Sequence, residues 1–378
     1  MKICILSVLH EPRDKRVYQK IARSLRRAGH EVVYACPSDT SPPLSGDGIR
    51  FLTIPVSPSK RWRLVALARL VRLGRRERAD VYLAVEPESW VAAMIVKRLS
   101  GGKVVFDMHE HVPTEFAKFC PRFLRAFMTR LTVLLMRLFA RYTDHVILTR
   151  ESFELEWSGL RVPRTTIINT NHLQPMCPGV PEELRARYAH RPAIIHQGLF
   201  GDVRGSYQLL QAMKILVREV PDIMCIILGG YVYGSLDDYR AAVRDAGLED
   251  HMDILGVVPY EAVPAYIAVS RVGLILLQPG LVNHTLAMPH KLFDYMREGK
   301  PVVAPGFSVE VARIVREADA GLLVDVTRPE AIAGAVLRLL RDPEEAARLG
   351  ANGRRIVETK YNWEREEERL LGVFSSIA

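Results

Sequence analysis

Residues 289–305 read PHKLFDYMREGKPVVAP. Pro289 suits the first position of a helix, where its missing N–H costs nothing. Gly299 suits the residue just past the end of that helix. PVVA (301–304) reads as a short buried strand, and VGLILL (272–277) reads as another. A helix that begins after a strand and a loop turns its free amides and positive dipole end toward whatever lies there. Such an end favours an anion, with phosphate the usual one. The amides of His290, Lys291 and Leu292 are candidate donors to a diphosphate. Asp294 is placed one turn on, where a carboxylate can accept from two ribose hydroxyls. The plainer reading is an ordinary helix with an acid near its start.

Outward from this segment, strands and helices alternate. The first half reads KICILSV as a strand, 13–28 as a helix, EVVYAC as a strand and 61–78 as a helix. DVYLAV, KVVFDM and HVILT follow as strands, with helices over 88–99 and 121–141. Near 163–192 the pattern breaks into Pro-rich, irregular sequence. It restarts with AIIHQG, a helix from about 204, IMCIILGG, a helix near 236–246, MDILG and a helix near 260–268; after 328 the chain reads as mostly helical. Repeated strand–helix units predict parallel sheets with right-handed crossovers. Two runs with a break between them predict an α/β protein of two Rossmann-like domains. Ligands are then expected beyond the carboxyl ends of the strands and in a cleft between the domains.

Three further loops carry polar side chains at strand ends. In HQGLFGDVRGSYQLLQAM (196–213), Gly198, Gly201 and Gly205 permit tight turns, and Arg204 can bind phosphate oxygens in fork geometry. In FDMHEHVPTEF (106–116), Asp107, His109, Glu110 and His111 crowd a strand end. A metal is conceivable there, but no second cluster completes a coordination set, so a polar active-site edge is the better reading. In SVLHEPRDKRVYQ (7–19), the GxGxxG of dinucleotide enzymes is absent, which counts against a nicotinamide or flavin dehydrogenase. His10, Asp14 and Arg16 are candidates there for acceptor contact, with surface salt bridging the plainer alternative.

The chain has 378 residues, five scattered cysteines without metal spacing, and no apolar run long enough to span a bilayer. That predicts a reducing, cytoplasmic setting. Residues 1–180 hold 29 Lys and Arg against 16 Asp and Glu, a surplus of 13; the remainder hold 23 against 27. The basic half contains two rich stretches, 60–78 with eight basic residues and one acid, and 116–141 with six and none. On a helical wheel, Phe123, Phe127, Leu131, Leu134 and Leu138 share one side of the second stretch. That is the composition of an interfacial helix; the plainer reading is a core helix with its apolar stripe on the sheet and a solvated basic face. The two are compatible, with the stripe on the sheet and the arginines toward anionic lipid, so 60–78 and 116–141 are candidates to meet an anionic inner membrane surface. Nucleic acid is a poorer partner, because no reader module or stacking motif is present.

Together these stretches resemble the retaining group 1 glycosyltransferases of GT-B fold, over nearly the whole chain. PHKLFDYMREGKPVVAP looks like that family's PNKLFEYMAAGKPVVAS pattern, and KVVFDMHEHVPTEF resembles its strand followed by D-x-H-E. The run LEDHMDILGVVPYEAVPAYIAVSRVGLILL and the terminal NWEREEERLL are similar to further family segments. The resemblance implies an acceptor-side domain over 1–172, a nucleotide-sugar domain over 173–361, and a helix at 362–378 crossing back. It implies a nucleotide-diphosphate sugar donor, with UDP favoured, and a glycan, lipid-linked or small-molecule acceptor. Asp294 would hold the ribose, Arg204 and the 290–292 amides the diphosphate, and the backbone around Val258 the base. Asp107, His109 and Glu110 would form the catalytic edge, with His109 facing the sugar. No cofactor or metal is implied. Leu286 and Leu199 stand where many members have glutamate and arginine, leaving Asn283, His284 and Thr285 as substitutes near the sugar. A sugar-nucleotide-binding protein without transfer activity is the alternative reading.

Overall fold

The computed structural model describes residues 1–39, 47–56, 62–109, 112–113, 121–174 and 179–378. The chain divides into two units, Met1–Asn169 with Trp363–Ala378, and Thr170–Asn362. The first is built on strands β1 (Lys2–Leu6), β2 (Glu31–Pro37), β3 (Arg50–Ile54), β4 (Val81–Ala84), β5 (Lys103–Met108), β6 (His145–Leu148) and β7 (Arg164–Thr166). They form one parallel sheet in the order β3-β2-β1-β4-β5-β6-β7. β4 and β6 are buried throughout, as expected of apolar strands covered on both faces. The Trp62–Glu77 helix turns Ala66, Leu70 and Gly74 inward. A Cβ on Gly74 would meet Val96 at 3.1 Å, so the glycine lets this helix lie close to the Pro87–Ser100 helix. The Trp363–Ser376 helix belongs to this unit; Trp363, Leu370, Val373 and Phe374 enter its core beside Ile3 and Leu25. It is pinned by Trp363 Nε1 donating to Ser24 Oγ at 3.1 Å and by the Ile168 amide donating to Glu366 at 2.8 Å.

The second unit holds β8 (Ala193–Gln197), β9 (Met224–Leu228), β10 (Met252–Gly256), β11 (Val272–Leu274), β12 (Val302–Pro305) and β13 (Gly321–Val324). These too are all parallel, in the order β10-β9-β8-β11-β12-β13. Its core gathers Ile194, Leu209, Met213, Leu216, Ile332 and Val336. In each sheet the strand order reverses beside the first strand, at β1/β4 and at β8/β11. A crevice at the carboxyl ends of those strands is where such sheets receive ligands.

The sequence reading missed β3, β7 and β13, and all three are sheet edges. β3 (RFLTI) and β7 (RTT) carry no long apolar run, whereas β13 (GLLV) is a short apolar segment that the reading passed over; β7 and β13 are half-buried at every position. β7 and the Glu182–Tyr188 helix also lie inside 163–192, which was read as irregular. β11 stops at Leu274, short of the six residues expected.

The largest correction concerns 121–141. A turn at Arg122–Leu124 leads into the Arg125–Ala140 helix, but the apolar stripe points away from the sheet. Phe123, Phe127, Leu134 and Leu138 are 82, 61, 63 and 43 % exposed. Thr132, Met136 and Ala140 face inward instead, and Phe139 stands edge-on to Trp90 with centroids 5.6 Å apart. A wheel groups residues by side, but only packing decides which side turns inward, and here the small side allows the closer approach. Among the described residues, no helix is long and apolar enough to cross a membrane.

Candidate active site

The crevice of the first unit is built around Asp107 at the end of β5, a carboxylate with no exposed surface. Arg16 grips it with two bonds, Nε to Oδ2 at 2.9 Å and Nη2 to Oδ1 at 2.8 Å, and gives Nη1 to the Ile167 carbonyl at 3.2 Å. His109 Nε2 donates to the same Asp107 Oδ2 at 2.7 Å. Burial would raise the Asp107 carboxyl, but the Arg16 guanidinium and His109 hold it well below the usual carboxylate range. The His109 ring meets His10 edge-on, with centroids 4.8 Å apart. His10 Nδ1 donates to Asp14 Oδ2 at 3.0 Å, while Asp14 Oδ1 caps the following turn by accepting from the Arg16 and Val17 amides. Burial pulls His10 down, but the Asp14 bond and the charges of Glu86 and Asp107 outweigh it and raise the imidazole. Burial likewise favours neutral Asp14, yet its bond from His10 brings it down to about 2. Glu86, just after β4, anchors the loop by accepting from Ser7 Oγ at 2.5 Å and the Leu9 amide at 3.0 Å. Beside this loop lies a groove of about 590 Å³ walled by Leu9, Pro12, Arg13, Ser38, Asp39 and Trp62.

The crevice of the second unit is made by the end of β8 and the His290–Arg297 helix. Tyr295 ties them together: its hydroxyl accepts from the Gln197 amide at 3.0 Å and donates to the Ile195 carbonyl at 3.2 Å. Asp294 is buried as a hub. Its Oδ1 accepts from Asn171 Nδ2 at 2.7 Å and Tyr260 Oη at 2.8 Å, and its Oδ2 from Gln197 Nε2 at 2.8 Å. Asn171 also reaches the His290 carbonyl and accepts from His290 Nδ1. The Leu292 amide is already given to the Pro289 carbonyl at 3.1 Å.

Above this hub stands a group of basic side chains. Lys291 Nζ lies 3.0 Å from His196 Nε2, both buried. Arg204 precedes the Ser206–Glu219 helix, and His284, in the short Val282–Thr285 helix, donates Nδ1 to the Gln278 carbonyl at 2.8 Å. Burial lowers Lys291, His196 and His284, and the nearby Arg204 charge lowers each further. The four groups therefore share one field. Gly198, Gly201 and Gly205 take φ of +88°, +143° and +85°, so the loop turns as its glycines predict.

The two-unit architecture can be compared with known proteins. A family model for a glycosyl transferase 4-like domain matches residues 15–170, and one for glycosyl transferases group 1 matches 183–356. The chain belongs to the group 1 glycosyltransferases. A GDP-mannose-dependent alpha-(1-6)-phosphatidylinositol monomannoside mannosyltransferase of Mycobacterium tuberculosis is 28 % identical over 200 residues, 52 % of this chain and 51 % of the relative. The chain thus matches about half the length of that relative. The phosphatidyl-myo-inositol mannosyltransferase of Mycolicibacterium smegmatis is 24 % identical over 95 % of this chain and 89 % of its own. Among solved structures, HepE from Anabaena with UDP and glucose superposes with TM-score 0.75 at 16 % identity, covering 100 % of both chains. Sucrose-phosphate synthase from Thermosynechococcus elongatus gives 0.77 at 18 %, covering 100 % and 99 %. The fold is GT-B.

In this group 1 glycosyltransferase the expected residues fall into three sets. His10, Asp14 and His109 gather at one crevice with surface open to solvent; Arg204, His284 and Lys291 gather at the other. Asp107 and Arg16 do not reach the surface: the one expected to be catalytic and the one expected to meet acceptor are locked onto each other, and they orient His109 instead. Asp294 is buried, and both its oxygens accept hydrogen bonds within the protein, from Asn171, Tyr260 and Gln197. Leu292 offers no amide, Val258 is half-buried in the loop after β10, and Asn283 and Thr285 are half-buried in the short helix. Glu110 and His111 lie outside the described residues. Sequence reasoning missed His196, Gln197, Tyr260, Asn171 and Glu86. A signal existed for the first two, because His and Gln are rare guests in a buried strand such as AIIHQ.

Proposed function

We propose that the chain transfers a sugar from a nucleoside diphosphate donor to a hydroxyl acceptor, with retention at the anomeric carbon and without a metal. The observation that carries this reading is the basic group at the β8/β11 crevice, Arg204, His284, His196 and Lys291, beside a helix start. The bond from the anomeric carbon to the β-phosphate oxygen breaks and its electron pair stays on that oxygen. The Arg204 cation and preorganised amides stabilise the charge as it develops. The acceptor oxygen bonds to the same carbon, and its proton passes to the leaving phosphate. His109, oriented by Asp107, meets the sugar, and the groove beside Leu9 and Trp62 receives acceptor. A thermal-shift panel of UDP, GDP, ADP, dTDP and CMP tests the donor. A bound diphosphate stabilises the fold by about 2.7 kcal/mol at one hundred times its dissociation constant. The family resemblance favours UDP by frequency alone, whereas the mannosyltransferase relatives are named for GDP-mannose; the panel separates the two. No response to any diphosphate overturns the reading.

Leu286, Leu199 and the buried Asp294 favour a second reading, a sugar-nucleotide binder without transfer. Donor turnover that is abolished by Arg204→Ala excludes it.

For the acceptor we favour a lipid-linked or surface glycan at the inner face of the cell membrane. The outward stripe of Phe123, Phe127, Leu134 and Leu138 supports this, flanked by Arg122, Arg125, Arg130, Arg137 and Arg141 with no acid among residues 121–141. Each arginine near an anionic leaflet contributes about 1 kcal/mol. Co-sedimentation with phosphatidylglycerol vesicles at low salt is expected for the wild type. Its absence removes the membrane and leaves a soluble acceptor.

A further inference from the structure

We infer that the Lys291 side chain, held against His196 over Gly198, is the diphosphate-binding cation at the place where many family members have an arginine, and that it takes up a proton when the diphosphate arrives. The inference deepens the donor reading above and rests on it. Three placements lead to it. Residue 199, the arginine position, is here a leucine 49 % exposed. Directly beside it, the lysine end lies against Gly198: a Cβ there would be in ordinary contact, 3.5 Å from Lys291 Cε and 3.8 Å from Nζ. Behind Lys291, the His196 ring is fixed by Phe200, with centroids 4.8 Å apart, and offers Nε2 at 3.0 Å. A buried lysine whose neighbour is an imidazole rather than a carboxylate is unusual, since buried cations are normally paired with an anion.

The groups around Lys291 explain why a ligand changes its charge. His196 faces it from β8 and Arg204 from the turn before the Ser206–Glu219 helix, with His284 near Arg204 and Asp294 one turn along its own helix. The Asp294 oxygens are engaged by Asn171, Tyr260 and Gln197, so the near field is basic. Burial and Arg204 both push Lys291 well below its ordinary range. A diphosphate reverses that field, and the proton comes from solvent, with His196 as its hydrogen-bonded neighbour. Affinity for the diphosphate then falls as pH rises, because binding takes up a proton.

The test is calorimetric titration with UDP and, separately, GDP at pH 8.5, in buffers of different ionisation enthalpy, with the parent nucleoside as a phosphate-free control. The wild type is expected to take up about one proton per diphosphate and none with the nucleoside. Lys291→Met is expected to abolish the uptake and weaken binding about tenfold to a hundredfold. Its melting temperature is expected to hold or rise, because a buried amine is gone; a lysine serving only the fold would lower it. Arg204→Ala is expected to weaken binding while keeping uptake. If the diphosphate binds without proton uptake, or if Lys291→Met keeps wild-type affinity while Arg204→Ala does not, the lysine assignment is wrong and the donor reading stands. If neither diphosphate binds the wild type, both fall together.

Discussion

The two crevices occupy the same topological place and have opposite electrostatic character. At β1/β4, Asp107 is answered by Arg16 and His109, and Asp14 by His10. At β8/β11, His196, Lys291, Arg204 and His284 stand in one basic field, while the nearby Asp294 spends its oxygens on Asn171, Tyr260 and Gln197. Parallel sheets with reversing strand order make such crevices wherever they occur, so topology locates a site without saying what it binds. Compensated charge makes a rigid support for His109. A cluster of basic side chains makes a place for an anion.

The first way to break this comparison is to remove the compensation. Arg16→Met leaves the buried Asp107 carboxylate with His109 alone as its partner, and breaking a buried pair this way costs about 3–5 kcal/mol. Chemical denaturation should show that loss, and a change under about 1 kcal/mol would mean that the pair is not supporting the unit. Arg204→Ala should behave in the opposite manner: little change in stability, with diphosphate affinity lower by about tenfold to a hundredfold in calorimetry. A large stability loss there would make Arg204 a structural residue. Asp294→Glu sharpens the distinction between a hub and a ribose ligand. Restoring the family's longer side chain in a fully packed site should lower stability by about 1–3 kcal/mol, read by thermal melting. Unchanged stability with tighter nucleotide binding would return the ribose role to position 294.

Acid titration separates the crevices more gently. His196 has a folded value below its ordinary 6.5, so above that pH both states are neutral and nothing is at stake. As pH falls below 6.5 the unfolded chain takes a proton that the folded site refuses, and stability declines. Asp14 is lowered from 3.8 to about 2, so its contribution is full above 3.8 and is lost as pH falls toward 2. That contribution is about 1–2 kcal/mol after allowance for its partial exposure. His196→Gln should flatten the upper part of the stability–pH curve, and Asp14→Asn the lower. A curve altered in the wrong window by either variant would show that the named group is not the one titrating there. The smallest stability effect is expected from Phe127→Ser, within about 0.5 kcal/mol because the ring is already exposed. The same variant should reduce vesicle co-sedimentation, and unchanged binding would clear the stripe of a membrane role.

Central strands were readable because burial on both faces writes a continuous apolar run: IMCIIL, AIIHQ and KVVFD all lie where periodicity put them. The edges β3 and β7 were not readable, since RFLTI and RTT have no such run; the edge β10 (MDILG) was read, and β13 (GLLV) was passed over although apolar. The start of the 290–297 helix was visible from Pro289 and Gly299. Its chemistry was only half visible, because the sequence offered Asp294 as a ligand and was silent on Gln197, Tyr260 and Asn171, which come from three other segments.

By itself the sequence determined the repeating strand–helix order, the two sheet-bearing halves, the glycine-rich turn after β8 and the helix start beyond β11. These depend on local period and local backbone freedom, which neighbouring residues specify. Only the tertiary structure decided that Arg16 is spent on Asp107, that Asp294 faces inward, that Lys291 meets His196, and that the Phe123–Leu138 stripe faces out. Each of those depends on which distant groups arrive first at a side chain's reach. A one-dimensional pattern records what a residue can offer; packing determines what is left for it to meet.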